Sequence, residues 1–359
     1  MLSNICYALP KSQQQRPNIL LIVVDTLGAK HLGAYDPGIK HSPNIDGLAR
    51  SGVVMERAYA AAPWTKPSIA SIFTGQYPYK HGVVGLRTPL RDRSVTMAEI
   101  FGSAGYHTVG VVSHVLLRPK SGLAQGFEKY HQFNSSKTAH TAITSKQVSD
   151  QAIESLLHRD KGRSFFMFLH YFDPHFRYME QPEFDLTKGM KSSLKPGMSL
   201  ESLARRKDRF SKEDLEYLKA LYAGEVAYTD FHIGRVLQAL KGEGLEKDTL
   251  VIFTADHGEE FMEHNWLGHT HSLYEELIHI PLIFSWPEKL KPGRRGQVVS
   301  QIDILPTLAA MLEVAPADSE IQGASLKELL LGEKRVLARE EIFSEVSYLT
   351  PKKRFDPHI

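Results

Sequence analysis

Three short segments of the 359-residue chain carry side chains whose types and spacing could do chemistry. The first is Asp256-His257 in TLVIFTADHGEE, an acid and an imidazole directly after an apolar run. A hard oxygen and an imidazole nitrogen at the carboxyl end of a strand suit a divalent metal, because open α/β sheets bind ligands at that end. A capping Asp beside a partly buried His fits the same dipeptide taken alone. The second is Asp25, which closes the run NILLIVVD and also fits a cap or turn. Oxygen and nitrogen ligands drawn from two strand ends make a site for Ca²⁺, Mg²⁺, Mn²⁺ or Zn²⁺, and the mixture does not choose among them. The third is Thr65, in AAPWTKPSIASIFTGQYPYKHG, where Thr65 and Ser68 frame Pro67 ahead of the small, apolar stretch from Ile69 to Phe73. That pattern places Thr65 at a helix start, with backbone N–H groups and the positive end of the helix dipole toward a bound anion. A hydroxyl is a poor nucleophile at its own pKa, but direct coordination to a metal could activate it. The plainer role is an N-cap.

These residues need strands and a helix to hold them. Asn18 to Asp25 is a β-rich apolar run of the kind buried on both faces of a parallel sheet. Further candidate strands are His107 to Val112, Phe165 to Tyr171 (FFMFLHY), Thr249 to Thr254 and Ile280 to Ser285, and helical spacing recurs over Ser42 to Ser51 and Lys212 to Leu240. Strands alternating with helices predict an α/β fold, a doubly wound and mostly parallel sheet flanked by helices. The sequence divides into an N-terminal extension (1–17), a catalytic domain (18–330) and the start of a small, truncated C-terminal subdomain (331–359). Residues 176–211 are polar and irregular and read as an insertion over the active-site end of the sheet. Their run Arg205, Arg206, Lys207, Arg209 could meet an anion, although a solvated helix face accounts for it more simply.

Composition narrows the functions available. With 43 Lys+Arg against 41 Asp+Glu, the net charge of +2 supplies no basic field for sequence-independent nucleic-acid binding, so any anion must be recognised locally. The single cysteine, Cys6, excludes an intramolecular disulfide framework and a Cys-rich zinc site. The longest apolar run, Ile19 to Val24, is too short to span a bilayer. The first sixteen residues hold no intact signal peptide. Taken alone they predict a cytoplasmic protein, or an exported one if ICYAL is the remnant of a trimmed leader. Oligomeric state is not readable from the sequence.

Taken together, the segments resemble the sulfatases, within the alkaline phosphatase superfamily. The resemblance rests on six ordered motifs: PNILLIVVDTLGAKHLGAY with SPNIDGLARSG; PSIASIFTGQYPYKHGV; FLHYFDPHFRY; YAGEVAYTDFHIGRVLQALKGEGLEKDTLVIFTADHGEE; GHTHSLYEELIHIPLIF; and SQIDILPTLAAML with QGASL. It implies that Asp25, Thr65, Asp256 and His257 hold a divalent metal and that Thr65 stands at the nucleophile position. It gives His175 and His269 catalytic positions as proton donors or substrate contacts. Ser113, His114 and His271, the last by slippage of the motif from His269, become substrate-binding candidates. His264 and His81 lie in matching segments too, but surface or packing roles account for both more simply.

The departures from the family pattern carry information. Sulfatases modify a Cys or Ser in C/S-x-P-x-R to formylglycine, whereas this chain reads Thr65-Lys66-Pro67-Ser68-Ile69, so no formylglycine is expected. The family's adjacent acids after the first strand are reduced to Asp25-Thr26, and its GKWHLG segment is replaced by one ending in Ser113-His114. Threonine nucleophiles occur in superfamily members that cleave or transfer phosphoryl groups. The resemblance therefore implies a metal-dependent hydrolase of phosphoester or phosphodiester bonds, or a phosphoryl transferase, working through a covalent Thr65 intermediate on a small-molecule, lipid or glycan ester. A sulfuric ester hydrolase without formylglycine is the near alternative. A non-catalytic domain that binds an anionic ligand is the third, motivated by Gly28 near Asp25 and by the replaced lysines.

Overall fold

The computed structural model describes residues 16–133, 143–315, 320–333, 339 and 341–347, so Cys6 and most of the N- and C-terminal segments lie outside the described residues. Ten strands are present among them: β1 (Asn18–Val24), β2 (Val53–Tyr59), β3 (His107–Val112), β4 (Lys129–Gln132), β5 (Phe165–Tyr171), β6 (Thr249–Ala255), β7 (Glu260–Phe261), β8 (Leu267–Gly268), β9 (His279–Ser285) and β10 (Gly293–Ser300). Every residue of β1, β5 and β6 is buried, which is why these segments read as unbroken apolar runs. Eight strands form one sheet in the order β10-β2-β9-β6-β1-β5-β3-β4. Only β9 runs antiparallel to its neighbours β2 and β6. β7 and β8 make a separate antiparallel hairpin.

Helices cover the sheet: α1 (Pro43–Ser51), α2 (Thr65–Thr74), α3 (Pro78–His81), α4 (Met97–Ser103), α5 (Ser145–Leu157), α6 (Leu200–Ala204) and the long α7 (Lys212–Gly242) come first in the chain. The start of α7 is fixed by a capping box, in which the Ser211 side chain accepts from the Asp214 N–H and the Asp214 carboxylate accepts from the Ser211 N–H. α1 lacks such a local cap, since the Ser42 side chain makes no capping bond. The carboxylate of Asp230, on α7, supplies it instead, accepting from the backbone N–H of Asn44 (3.1 Å) and Ile45 (2.8 Å) and from the Asn44 side chain.

The parallel strands β1, β3, β5 and β6 bring their carboxyl ends to one side of the sheet. Asp25, Ser113-His114 and Asp256-His257 follow β1, β3 and β6 directly, and Asp173 and His175 follow β5 after Phe172. The segment 176–211 is mostly irregular, with α6 and two short 3₁₀ turns. It packs on the β7–β8 hairpin, where a Cβ at Gly268 would stand 3.0 Å from Leu200, and Lys207 Nζ donates to the Asn265 carbonyl at 3.3 Å.

Candidate active site

Asp25 and Asp256 leave adjacent strands, and the parallel register of β1 and β6 pairs Val24 with Ala255, so the two acids emerge side by side. Both are fully buried. Asp256 turns Oδ1 back onto the backbone, accepting from His257 N–H (2.8 Å) and Thr26 N–H (3.2 Å), while its Oδ2 and both oxygens of Asp25 have no hydrogen-bond partner. Buried carboxylate oxygens without donors are costly. Burial, and then the charges of Asp256 and Glu259, push Asp25 well above the usual carboxylate range, and burial raises Asp256 as well. Two acids in such a place call for a bound cation.

His257 is oriented to serve one. Its Nδ1–H donates to the Gly258 carbonyl at 2.9 Å, which leaves Nε2 as the lone-pair atom, 3.5 Å from both Asp25 Oδ1 and Asp256 Oδ2. Burial pulls its pKa down to about 4, so the ring is neutral near pH 7. The glycine that follows is required by space: a Cβ at Gly258 would clash with the Glu276 carbonyl oxygen. Thr65 is the first residue of α2, is buried, and places Oγ1 3.5 Å from His257 Nε2.

A residue that sequence reasoning passed over completes this cluster. His170 lies inside β5, paired with Val23 of β1, and is fully buried with neither ring nitrogen hydrogen-bonded. Its Nε2 is 3.6 Å from Asp25 Oδ2, and ligand atoms of Asp25, His170 and Asp256 lie within 4.8 Å of one another. The sequence signal was one imidazole in an otherwise apolar strand, hidden because FFMFLHY reads as core. The orphaned oxygens, the two neutral imidazoles and the Thr65 hydroxyl fit a divalent metal ion.

Other imidazoles ring this centre, and their partners sort them. His114 Nδ1 accepts from the Leu116 N–H at 2.9 Å, so its Nε2 carries the proton, 3.7 Å from Asp25 Oδ2. His175 donates Nδ1–H to the Phe176 carbonyl at 2.6 Å and stacks on Phe172, so proton exchange with a ligand falls to Nε2. His269 pairs Nδ1 with the buried carboxyl of Glu259 at 2.8 Å, and its ring centroid lies 4.5 Å from that of His257 and 5.0 Å from that of His175. Burial lowers His269 to about 3 and raises Glu259 to about 8.

Two substrate-binding candidates sit otherwise than the motifs implied. The Ser113 hydroxyl donates to the His170 carbonyl (3.0 Å) and accepts from the Phe172 N–H (2.9 Å), so it ties the end of β3 to β5. His271 meets Glu260 Oε2 through Nε2 (2.8 Å) and the His269 carbonyl through Nδ1 (3.2 Å), and so braces the segment that carries His269. His81, with Nε2 against the Ser71 hydroxyl, and His264, stacked on Tyr274, lie outside the cluster.

A mostly parallel sheet with buried acids and imidazoles at its carboxyl edge, and a hydroxyl at a helix start facing them, defines a hydrolase of the alkaline phosphatase superfamily type. Residues 17–314 match the model of the Sulfatase family, and the chain belongs to that family. It is 27% identical to an arylsulfatase of Clostridium perfringens, over 93% of this chain and 82% of that protein. It is 24% identical to an N-acetylglucosamine-6-O-sulfatase of Bacteroides thetaiotaomicron, over 93% and 74%. Among solved structures, the phosphonate monoester hydrolase of Agrobacterium radiobacter shares the fold with a TM-score of 0.72 at 22% identity, covering 88% of this chain and 77% of that one.

Proposed function

We propose that the protein hydrolyses phosphoester or phosphodiester bonds of a small-molecule, lipid or glycan ester through a covalent phosphothreonine at Thr65. The observation that carries this reading is the threonine itself, buried at the start of α2 with Oγ1 3.5 Å from His257 Nε2, in a chain with no Cys or Ser at that position to become formylglycine. A sulfated threonine has no internal route to expel sulfate, whereas a phosphothreonine yields to attack at phosphorus.

Asp25, Asp256, His257 and the Thr65 oxygen would hold the divalent metal, whose charge favours the Thr65 alkoxide and offsets negative charge on the phosphoryl oxygens. Thr65 Oγ1 bonds to phosphorus as the bond to the leaving oxygen breaks. The Thr65 hydroxyl proton passes to the lone pair of His175 Nε2 or His269 Nε2, and that imidazole then supplies it to the leaving oxygen. Water, deprotonated by the same imidazole, then attacks phosphorus from the opposite side and the Oγ1–P bond breaks. An alcohol in place of water turns hydrolysis into transfer. His114, with its Nε2–H toward the centre, is suited to donate to a phosphoryl oxygen. The N–H groups that a helix start leaves without intrahelical partners would suit the same anion.

The test is a panel of aryl phosphomonoester, phosphodiester, phosphonate and sulfate substrates offered to metal-loaded protein. Turnover at phosphorus, with T65A inactive but still binding metal, is the expected outcome. Turnover of the sulfate alone sinks the assignment. A sulfuric ester hydrolase is the second reading, and it is favoured by the sulfatase names of the relatives at 24–27% identity.

A further inference from the structure

We propose that His170 is a direct ligand of the metal, giving a donor set of two carboxylates, two imidazoles and the Thr65 hydroxyl that selects a borderline ion of the Zn²⁺ kind over Ca²⁺ and Mg²⁺. The inference rests on the reading of this cluster as a metal centre and concerns which ion it takes.

His170 is costly where it stands. An imidazole that is 0% exposed, with both nitrogens unpartnered, leaves two buried polar atoms unsatisfied, and an aliphatic side chain would fill β5 without that penalty. Position explains the expense. The β1–β5 register pairs His170 with Val23, two residues before Asp25, and the 3.6 Å between Nε2 and Asp25 Oδ2 is too long for a hydrogen bond. It is an ordinary separation for two atoms bound to one ion at ~2.0–2.2 Å each.

The rest of the donor set points the same way. Ca²⁺ takes six to eight oxygens, with several carboxylates among them. Here the charged oxygens come from Asp25 and Asp256 alone, and Asp256 Oδ1 already accepts two N–H bonds. The residue after Asp25 is Thr26, which carries no charge and whose N–H is one of those two donors. Two imidazoles, two carboxylates and a hydroxyl make a compact nitrogen-containing set that suits zinc, while magnesium prefers oxygen and retained water.

The test uses full-length protein stripped with chelator and titrated separately with Zn²⁺, Ca²⁺ and Mg²⁺, alongside H170Q and D256A. Zinc binding wild type at least ~100-fold more tightly than calcium is the expected result, with H170Q losing at least ~10-fold in zinc affinity and changing calcium by less than ~3-fold. Cobalt-substituted wild type supplies a readout that survives failure of H170Q to fold. With ¹⁵N-labelled histidine it should show two strongly paramagnetically shifted imidazole groups, from His170 and His257. One shifted imidazole, or calcium binding more tightly than zinc, overturns the proposal. Failure of wild type to bind any metal would instead remove the metal centre itself, an outcome distinguished by wild type matching D256A for every ion.

Discussion

At the scale of single residues, the tautomer of each histidine sets whether its free nitrogen suits a metal or a proton transfer. If Thr65 attacks phosphorus as proposed, Thr65→Ala should lower kcat at least ~10³-fold while metal bound at saturation stays within twofold of wild type; Thr65→Ser keeps a hydroxyl and should retain activity within ~10-fold. Steady-state kinetics with parallel metal analysis checks both. His175 gives a prediction of a different shape. If its Nε2 protonates the leaving oxygen, His175→Asn should lower kcat by ~10²–10⁴ for alkyl esters, whose leaving groups need the proton, and far less for nitrophenyl esters. An equal loss across leaving groups would assign His175 to binding. Asp25, Thr65 and Asp256-His257 were legible in the sequence because each sits at an element boundary, where a polar residue interrupts an apolar pattern. His170 was not, because a strand buried on both faces offers no alternation to say which way a side chain points, and only the pairing with β1 turns it toward Asp25. The partners of Ser113 and His271 are likewise set by chain segments distant from their own motifs.

Among the elements, the carboxyl ends of β1, β3, β5 and β6 carry the site, and their strands were readable as apolar runs. β2 and β10 were not, since VVMERAY and GRRGQVVS are only partly apolar and expose polar faces near the sheet edge. Nor does any local pattern encode the antiparallel direction of β9. The cap on α1 was hidden too, because Asp230 reaches it from α7. Two predictions belong here. Gly258→Ala drives a Cβ into the Glu276 carbonyl and should cost ~1–3 kcal/mol in denaturant unfolding, with His257 displaced and metal affinity reduced. The second concerns Glu263, on the hairpin turn, which receives Lys30 and Lys219 at 3.2 and 3.3 Å. Burial raises its pKa, but Lys30, the Phe261 N–H and Lys219 outweigh that and hold it at about 2. A carboxylate depressed in the folded state contributes stability above its unfolded value of 4.5 and loses it as pH falls from 4.5 toward 2. The lysine side chains are 41% and 44% exposed, so solvent screens the contribution to about 1 kcal/mol. Acid titration of unfolding should therefore show a shallower slope in E263Q across that window; an unchanged slope would mean the hairpin is held by packing alone.

For the whole molecule, a net charge of +2 supplies no global field for an anion, so the proposed function concentrates anion recognition at one buried centre. Chelation should lower the melting temperature by several degrees at near-saturating metal, because a ligand at ~100 times its dissociation constant adds ~2.7 kcal/mol to the folded state and here also neutralises Asp25 and Asp256. Differential scanning calorimetry with and without metal measures it, and an unshifted melt would mean the acids are satisfied some other way. The fold and family place a hydrolase here, and the proposed role of Thr65 is what assigns it to phosphorus. The most direct test of that claim is to mix metal-loaded protein with a ³²P-labelled phosphodiester, quench in acid within the first turnover, and map the label by proteolysis and mass spectrometry. Radiolabel on the peptide bearing Thr65, absent from T65A, is the predicted result. Rapid turnover of the same phosphodiester with no label on Thr65 at any quench time would contradict it.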